Sequence, residues 1–157
     1  MILAFLAFLA LSSSAVAAAR CPPANETQVR DEFRRWMRAY EAHDLAGSMA
    51  IFSPDVRFEF QGSAEQDWKQ LEEGYARSFA RTGKATWVPT WDQVLVSGNL
   101  ATAFSTWRGV VTLPGSKPEV RAENRGVDVL RRGLDCRWRI VHSLNFPLKA
   151  PSPAATK

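Results

Sequence analysis

Apolar residues recur at spacings of three and four in the first polar part of the chain. Val29, Phe33, Trp36, Met37 and Tyr40 fall on one side of a helical wheel, with Arg30, Arg34, Arg35 and Arg38 on the rest. With Asn25 or Thr27 as its cap, this spacing predicts a first amphipathic helix. Asp44 is placed to cap a second, shorter helix in which Leu45, Met49 and Phe52 share a face, with Ser53-Pro54-Asp55 as its stop. A short strand, VRFEF, follows at 56–60. Ser63 and Gln66 then have capping-box spacing ahead of Trp68, Leu71, Tyr75 and Phe79, which predicts a third helix.

The period then changes. ATWVPTWDQVLVSG, LATAFSTWRGVVTLPG, EVRAENRGVDVLRRG and CRWRIVHSLNF are rich in Val, Thr, Trp and Phe and are separated by SGN, PGSKP and RRGLDC turn clusters. Three helices ahead of a meander of strands predict an α+β domain. The helices cover one face of a curved, mostly antiparallel sheet, and a pocket lies between the two layers. A last hairpin centred on Gly133 to Asp135 would set Asp128 opposite Ile140 and Gly126 opposite His142. On that register Asp128, Trp138, Ile140, His142 and Leu144 face inward, and Arg125, Val127, Arg131, Arg137 and Arg139 face outward. Asp128 and His142 become diagonal neighbours, within reach of a direct or water-bridged contact.

Outside this domain, MILAFLAFLALSSSAVAAAR carries an apolar run and then Ala17-Ala18-Ala19, the pattern of a secretory signal cleaved after Ala19. The expected organisation is a signal at 1–19, one domain at 20–148 and a disordered Pro/Ala-rich tail at 149–157. Localisation is then secreted or periplasmic, with no stable membrane insertion once the signal is removed. In an oxidising compartment Cys21 and Cys136 either pair, tying the N-terminal arm to the last hairpin, or stay as two free thiols. Two cysteines and two widely spaced histidines match no zinc pattern, so no metal site is expected. The net charge of +4 comes from arginines interleaved with acids, which reads as a solvated surface and not a nucleic-acid site.

Three stretches, FRRWMRAYEAHDLAGSMAIFSPDVRFEF, SGNLATAFSTWRG and RWRIVH, resemble the SnoaL-like and ketosteroid-isomerase-like superfamily, which shares its cone with nuclear transport factor 2. The likeness is closest to exported ketosteroid isomerase homologues of unknown substrate. It implies a domain that works without a cofactor and forms a homodimer through the outer sheet face. Steroid isomerases of the superfamily use a tyrosine on the first helix, a base aspartate after the first strand and a protonated aspartate on a late strand. An ungapped reading puts Trp36 at the first place and Phe60 at the second, and Asp128 in GVDVLRR at the third. One role of three carries over, so steroid isomerisation is disfavoured, and the fold by itself does not select a chemistry.

Asp128 is thus either a desolvated proton donor shared with His142, or a structural acid bonded to backbone, Asn124, Tyr40 or an indole N–H. His142 is either a base near neutral pH or a packed or surface residue. Glu59 is expected to face water between Phe58 and Phe60. Trp36, Tyr40, Phe60, Trp107, Asn124 and Trp138 are the expected ligand contacts. The first functional expectation is an exported domain that holds a small apolar or aromatic molecule in a Trp-rich cone. A cofactor-free isomerase, lyase or cyclase using Asp128 and His142 is the alternative. A dimerisation or interaction module with a filled core is the third.

Overall fold

The computed structural model describes residues 21–81, 84–112, 117 and 119–148. The expected signal and tail lie outside the described residues. Helix α1 runs Glu26–Glu41, capped by the Asn25 side chain, which accepts from Gln28 N. Helix α2, Leu45–Met49, is capped by Asp44 accepting from Gly47 N. Strand β1, Phe52–Phe60, precedes helix α3, Trp68–Arg81. Strands β2 (Lys84–Ser97), β3 (Leu100–Thr112), β4 (Glu119–Arg132) and β5 (Trp138–Pro147) complete one sheet in the order β1-β5-β4-β3-β2. All neighbours are antiparallel except β1 and β5, which run parallel.

Two boundaries differ from the sequence pattern. Ser53-Pro54-Asp55 lies inside β1 and does not follow α2 as a separate stop. β1 is a sheet edge whose register against β5 slips between Phe52 and Arg57, a place where a proline costs no ladder bond. The capping box of α3 is Asp67 with Gln70, not Ser63 with Gln66. Asp67 Oδ1 accepts from Gln70 N and Gln70 Oε1 accepts from Asp67 N, each at 2.9 Å. Gln66 instead exchanges two backbone bonds with Phe58 at the end of β1.

The apolar stripe of α1 supplies Val29 and Phe33 to the core, with Trp36 and Met37 packed against it. Burying side chains of this size stabilises by about 1.5–3 kcal/mol each. Trp138, Leu130 and Ile140 meet them from the sheet. At this end the N-terminal arm is clasped to the β4–β5 turn. Cys21 and Cys136 are disulfide-bonded with Cα atoms 5.4 Å apart, and Arg132 Nη1 donates to Pro22 O at 2.7 Å. Glu32 is only 2% exposed and takes both the Nε (2.6 Å) and Nη2 (2.8 Å) protons of Arg137. Arg35 binds the same carboxylate. Arg137 therefore turns to α1 and does not join the outward row expected for it.

Candidate functional site

Between the helices and the inner face of the sheet lies a cavity of about 350 Å³. That falls at the lower end of small-molecule sites, about 300–1,000 Å³. α1 sends Trp36 and Tyr40 into it, α3 sends Tyr75, and the end of β1 sends Phe58 and Phe60. Trp107 comes from the sheet, its ring 5.4 Å from Trp36 and edge-on to it. Tyr40 stands edge-on to Tyr75 at 5.5 Å. Edge-to-face packing of this kind suits the negative ring faces and positive ring edges of aromatic side chains.

Polar groups reach the cavity along one line. Asn124 Nδ2 donates to Asn145 Oδ1 at 3.1 Å, Asn145 Nδ2 to Ser143 Oγ at 2.9 Å, and Ser143 Oγ to Asp128 Oδ1 at 2.6 Å. The donors all point the same way, so each bond polarises the next and the chain ends on the carboxyl. Gly126 leaves room for the Asn145 amide, because a Cβ there would stand 3.2 Å from its oxygen. Asp128 is 5% exposed. Burial pushes its carboxyl up to about 6, against the downward pull of the Ser143 hydroxyl. Oδ2 takes no hydrogen bond from the described residues. The Tyr75 hydroxyl accepts from Trp36 Nε1 at 3.1 Å. Burial raises its pKa well above the usual phenol value, and the Tyr40 and Asp128 charges push the same way. The Tyr75 proton thus stays on oxygen and is available to a bound molecule.

Of the expected site residues, Asp128, Trp36, Tyr40, Phe60, Trp107 and Asn124 meet in this cavity. Trp138 does not. It is 1% exposed beside the N-terminal clasp, with the Arg132 guanidinium 5.8 Å over its ring. His142 lies on the other face of the sheet, where its Nε2 is 3.2 Å from Glu59 Oε1 and both side chains are 43% exposed. The cause is a bulge. Val129 opposes His142 but Leu130 opposes Ile140, so Val141 is an extra residue on β5. The turn is also centred one residue later than expected, at Asp135, with Arg131 opposite Arg139 and Arg132 opposite Trp138, which shifts the register by two. The bulge adds a third, so Asp128 stands opposite Ser143 and Gly126 opposite Asn145. Beyond the bulge Ser143 and Asn145 turn inward, and His142 and Leu144 turn outward.

Ser143, Asn145 and Tyr75 are the site residues the sequence reading missed. The alternation of Ser143 and Asn145 around Leu144 was a visible signal, and so was a tyrosine on the apolar stripe of α3. On the outer face the expected row of arginines is internally paired. Arg125 bonds Asp92, Arg131 bonds Asp55 and Arg139 bonds Asp135. Among the described residues no cluster of three or more His, Cys, Asp or Glu side chains could hold a metal ion.

Three helices followed by a five-strand, mostly antiparallel sheet define the cone-shaped α+β class that includes nuclear transport factor 2-like proteins. The chain belongs to the SnoaL-like domain family, whose model matches residues 33–141. A ketosteroid isomerase-like protein from Erwinia carotovora atroseptica is similar in structure, with a TM-score of 0.64 at 16% identity over 79% of this chain and 96% of that one. A nuclear transport factor 2-like superfamily protein from Salmonella enterica superposes at 0.64 with 20% identity, over 83% and 96% of the two chains. A conserved protein from Planctomyces limnophilus reaches 0.69 at 17% identity, over 78% and 95%. No curated protein matches the chain. At these identities the likeness is one of fold.

Proposed function

We propose that the protein binds one small, mainly apolar, ring-bearing molecule inside the cone, with the molecule's polar group against Asp128 and Tyr75. The observation that carries this reading is a buried carboxyl in an aromatic chamber, with one oxygen tied to Ser143 and the other uncommitted. A void of this size speaks against a module whose core is filled by its tryptophans. The Cys21–Cys136 disulfide supports export to an oxidising compartment. Exposed Phe146 at the end of β5 is consistent with a homodimer formed through the outer face.

A second reading, a cofactor-free isomerase or lyase, is favoured by the Asp128 carboxyl titrating near 6, close to working pH. In that reading Asp128 moves the proton with Tyr75 as its neighbour, and His142 has no part.

The test uses 4-propylphenol, titrated calorimetrically at pH 8 and pH 5. Above about 6 the ionised Asp128 accepts the phenol proton in a charge-assisted bond, and below it the bond is between neutral groups. Affinity is expected to fall about tenfold toward pH 5. Absence of saturable binding at both values overturns the reading.

A further inference from the structure

A second hollow of about 190 Å³ shares Tyr40, Ser78, Trp87 and Ala122 with the main cavity. The wall between them contains two large side chains, Tyr40 from α1 and Trp87 from β2. Tyr40 is held by the rings of Trp36, Tyr75 and Phe79. Trp87 is held differently. It pairs across the sheet with Gly109, which pairs in turn with Ala122. A Cβ on Gly109 would stand 3.0 Å from two carbons of the indole, so the ring lies directly over that glycine. The small residues at 109 and 122 let one large ring cross the row from the sheet side and meet Tyr40 edge-on at 6.2 Å.

The inward positions Asp128, Gly126, Asn124 and Ala122 lead along β4 from the carboxyl to this ring, roughly 20 Å of extended strand at most. We propose that Trp87, seated on Gly109, is the length stop of the ligand site. The proposal rests on the reading above, in which the polar end of the ligand meets Asp128. It narrows the ligand class to compact amphiphiles with a hydroxyl or carbonyl head and an apolar body that ends at the indole. Without the ring, the two hollows become one longer channel.

The test is a series of para-alkylphenols from 4-ethylphenol to 4-nonylphenol, titrated calorimetrically into the disulfide-bonded protein, into Trp87→Ala and into Gly109→Ala. Circular dichroism confirms folding, and Trp87→Leu replaces the alanine variant if that one does not fold. In the unaltered protein affinity should rise with tail length and stop rising at a cut-off. Trp87→Ala should move the cut-off to longer tails, with a gain of about tenfold for a tail two methylenes beyond it. Gly109→Ala, by lifting the ring from the strand toward the cavity, should move the cut-off to shorter tails. Short phenols that bind with a cut-off common to all variants, or with none up to nonyl, overturn the length stop and leave the ligand site standing. If no phenol binds any of the proteins, both are overturned.

Discussion

Two buried acids show how differently the two ends of this cone are built. Glu32 and Asp128 are 2% and 5% exposed. Burial alone would push the Glu32 carboxyl up, yet Arg137 and Arg35 hold it below its ordinary value of 4.5. Among the described residues Asp128 has only the Ser143 hydroxyl, and burial carries it from 3.8 to about 6. One acid is spent on holding α1 to the β5 end of the last hairpin, and the other is left with an open valence at a cavity. The tryptophans divide in the same way. Trp138 is sealed beside the clasp, whereas Trp107 and Trp36 face empty volume. A buried charge reads as structure when its partners are complete and as chemistry when they are not.

The contrast can be broken most severely at the clasp. Replacing both cysteines by serine frees a loop spanning 115 residues, and stability by urea unfolding should fall by about 4 kcal/mol. Binding of 4-propylphenol at 25 °C should stay within about twofold, because the disulfide does not border the cavity. A loss of binding as large as the loss of stability would mean that the two ends are not separate.

The acids themselves should respond with opposite signs. The folded-state pKa of Asp128 is raised, so its ionised form weakens the fold. Stability on its account is greatest below 3.8 and is lost as pH rises through about 6. Asp128→Asn should raise stability at pH 8 by up to about 3 kcal/mol, and by almost nothing at pH 3.5. Glu32 is lowered, so its contribution is present above 4.5 and is lost as pH falls through its folded value. Glu32→Gln should lower stability at pH 7 by about 1–2 kcal/mol, discounted because both arginines remain partly solvated. Urea titrations at three pH values decide this; the same sign for both variants would sink the comparison.

The smallest effect is expected on the outer face. His142→Ala should change stability by less than about 0.5 kcal/mol, as for a half-exposed pair with Glu59. Phenol affinity should not change. A tenfold loss would place this histidine in the ligand's path despite its face.

The helices were legible because the spacing of Val29, Phe33, Trp36 and Tyr40 admits one period, and the strands because turn clusters bound each β-rich run. The capping box of α3 was misplaced because two consecutive stretches, Ser63 with Gln66 and Asp67 with Gln70, carry the same spacing. Which one caps depends on where β1 ends, a tertiary matter. Asp128 was found from alternation within β4. Its true partner was not, since Val141 and His142 both fit a regular strand and nothing local says that one of them is surplus. That single extra residue exchanged His142 for Ser143 in the site.

The bulge at Val141 also makes β5 a strand with two independent sentences. Before it, Trp138 writes to the sealed interior, and after it Ser143 and Asn145 write to the cavity. Substitutions at 143 and 145 alter what a guest molecule is offered and leave the Trp138 packing untouched. Descent or design can therefore revise the vocabulary of this chamber without retyping the fold that encloses it.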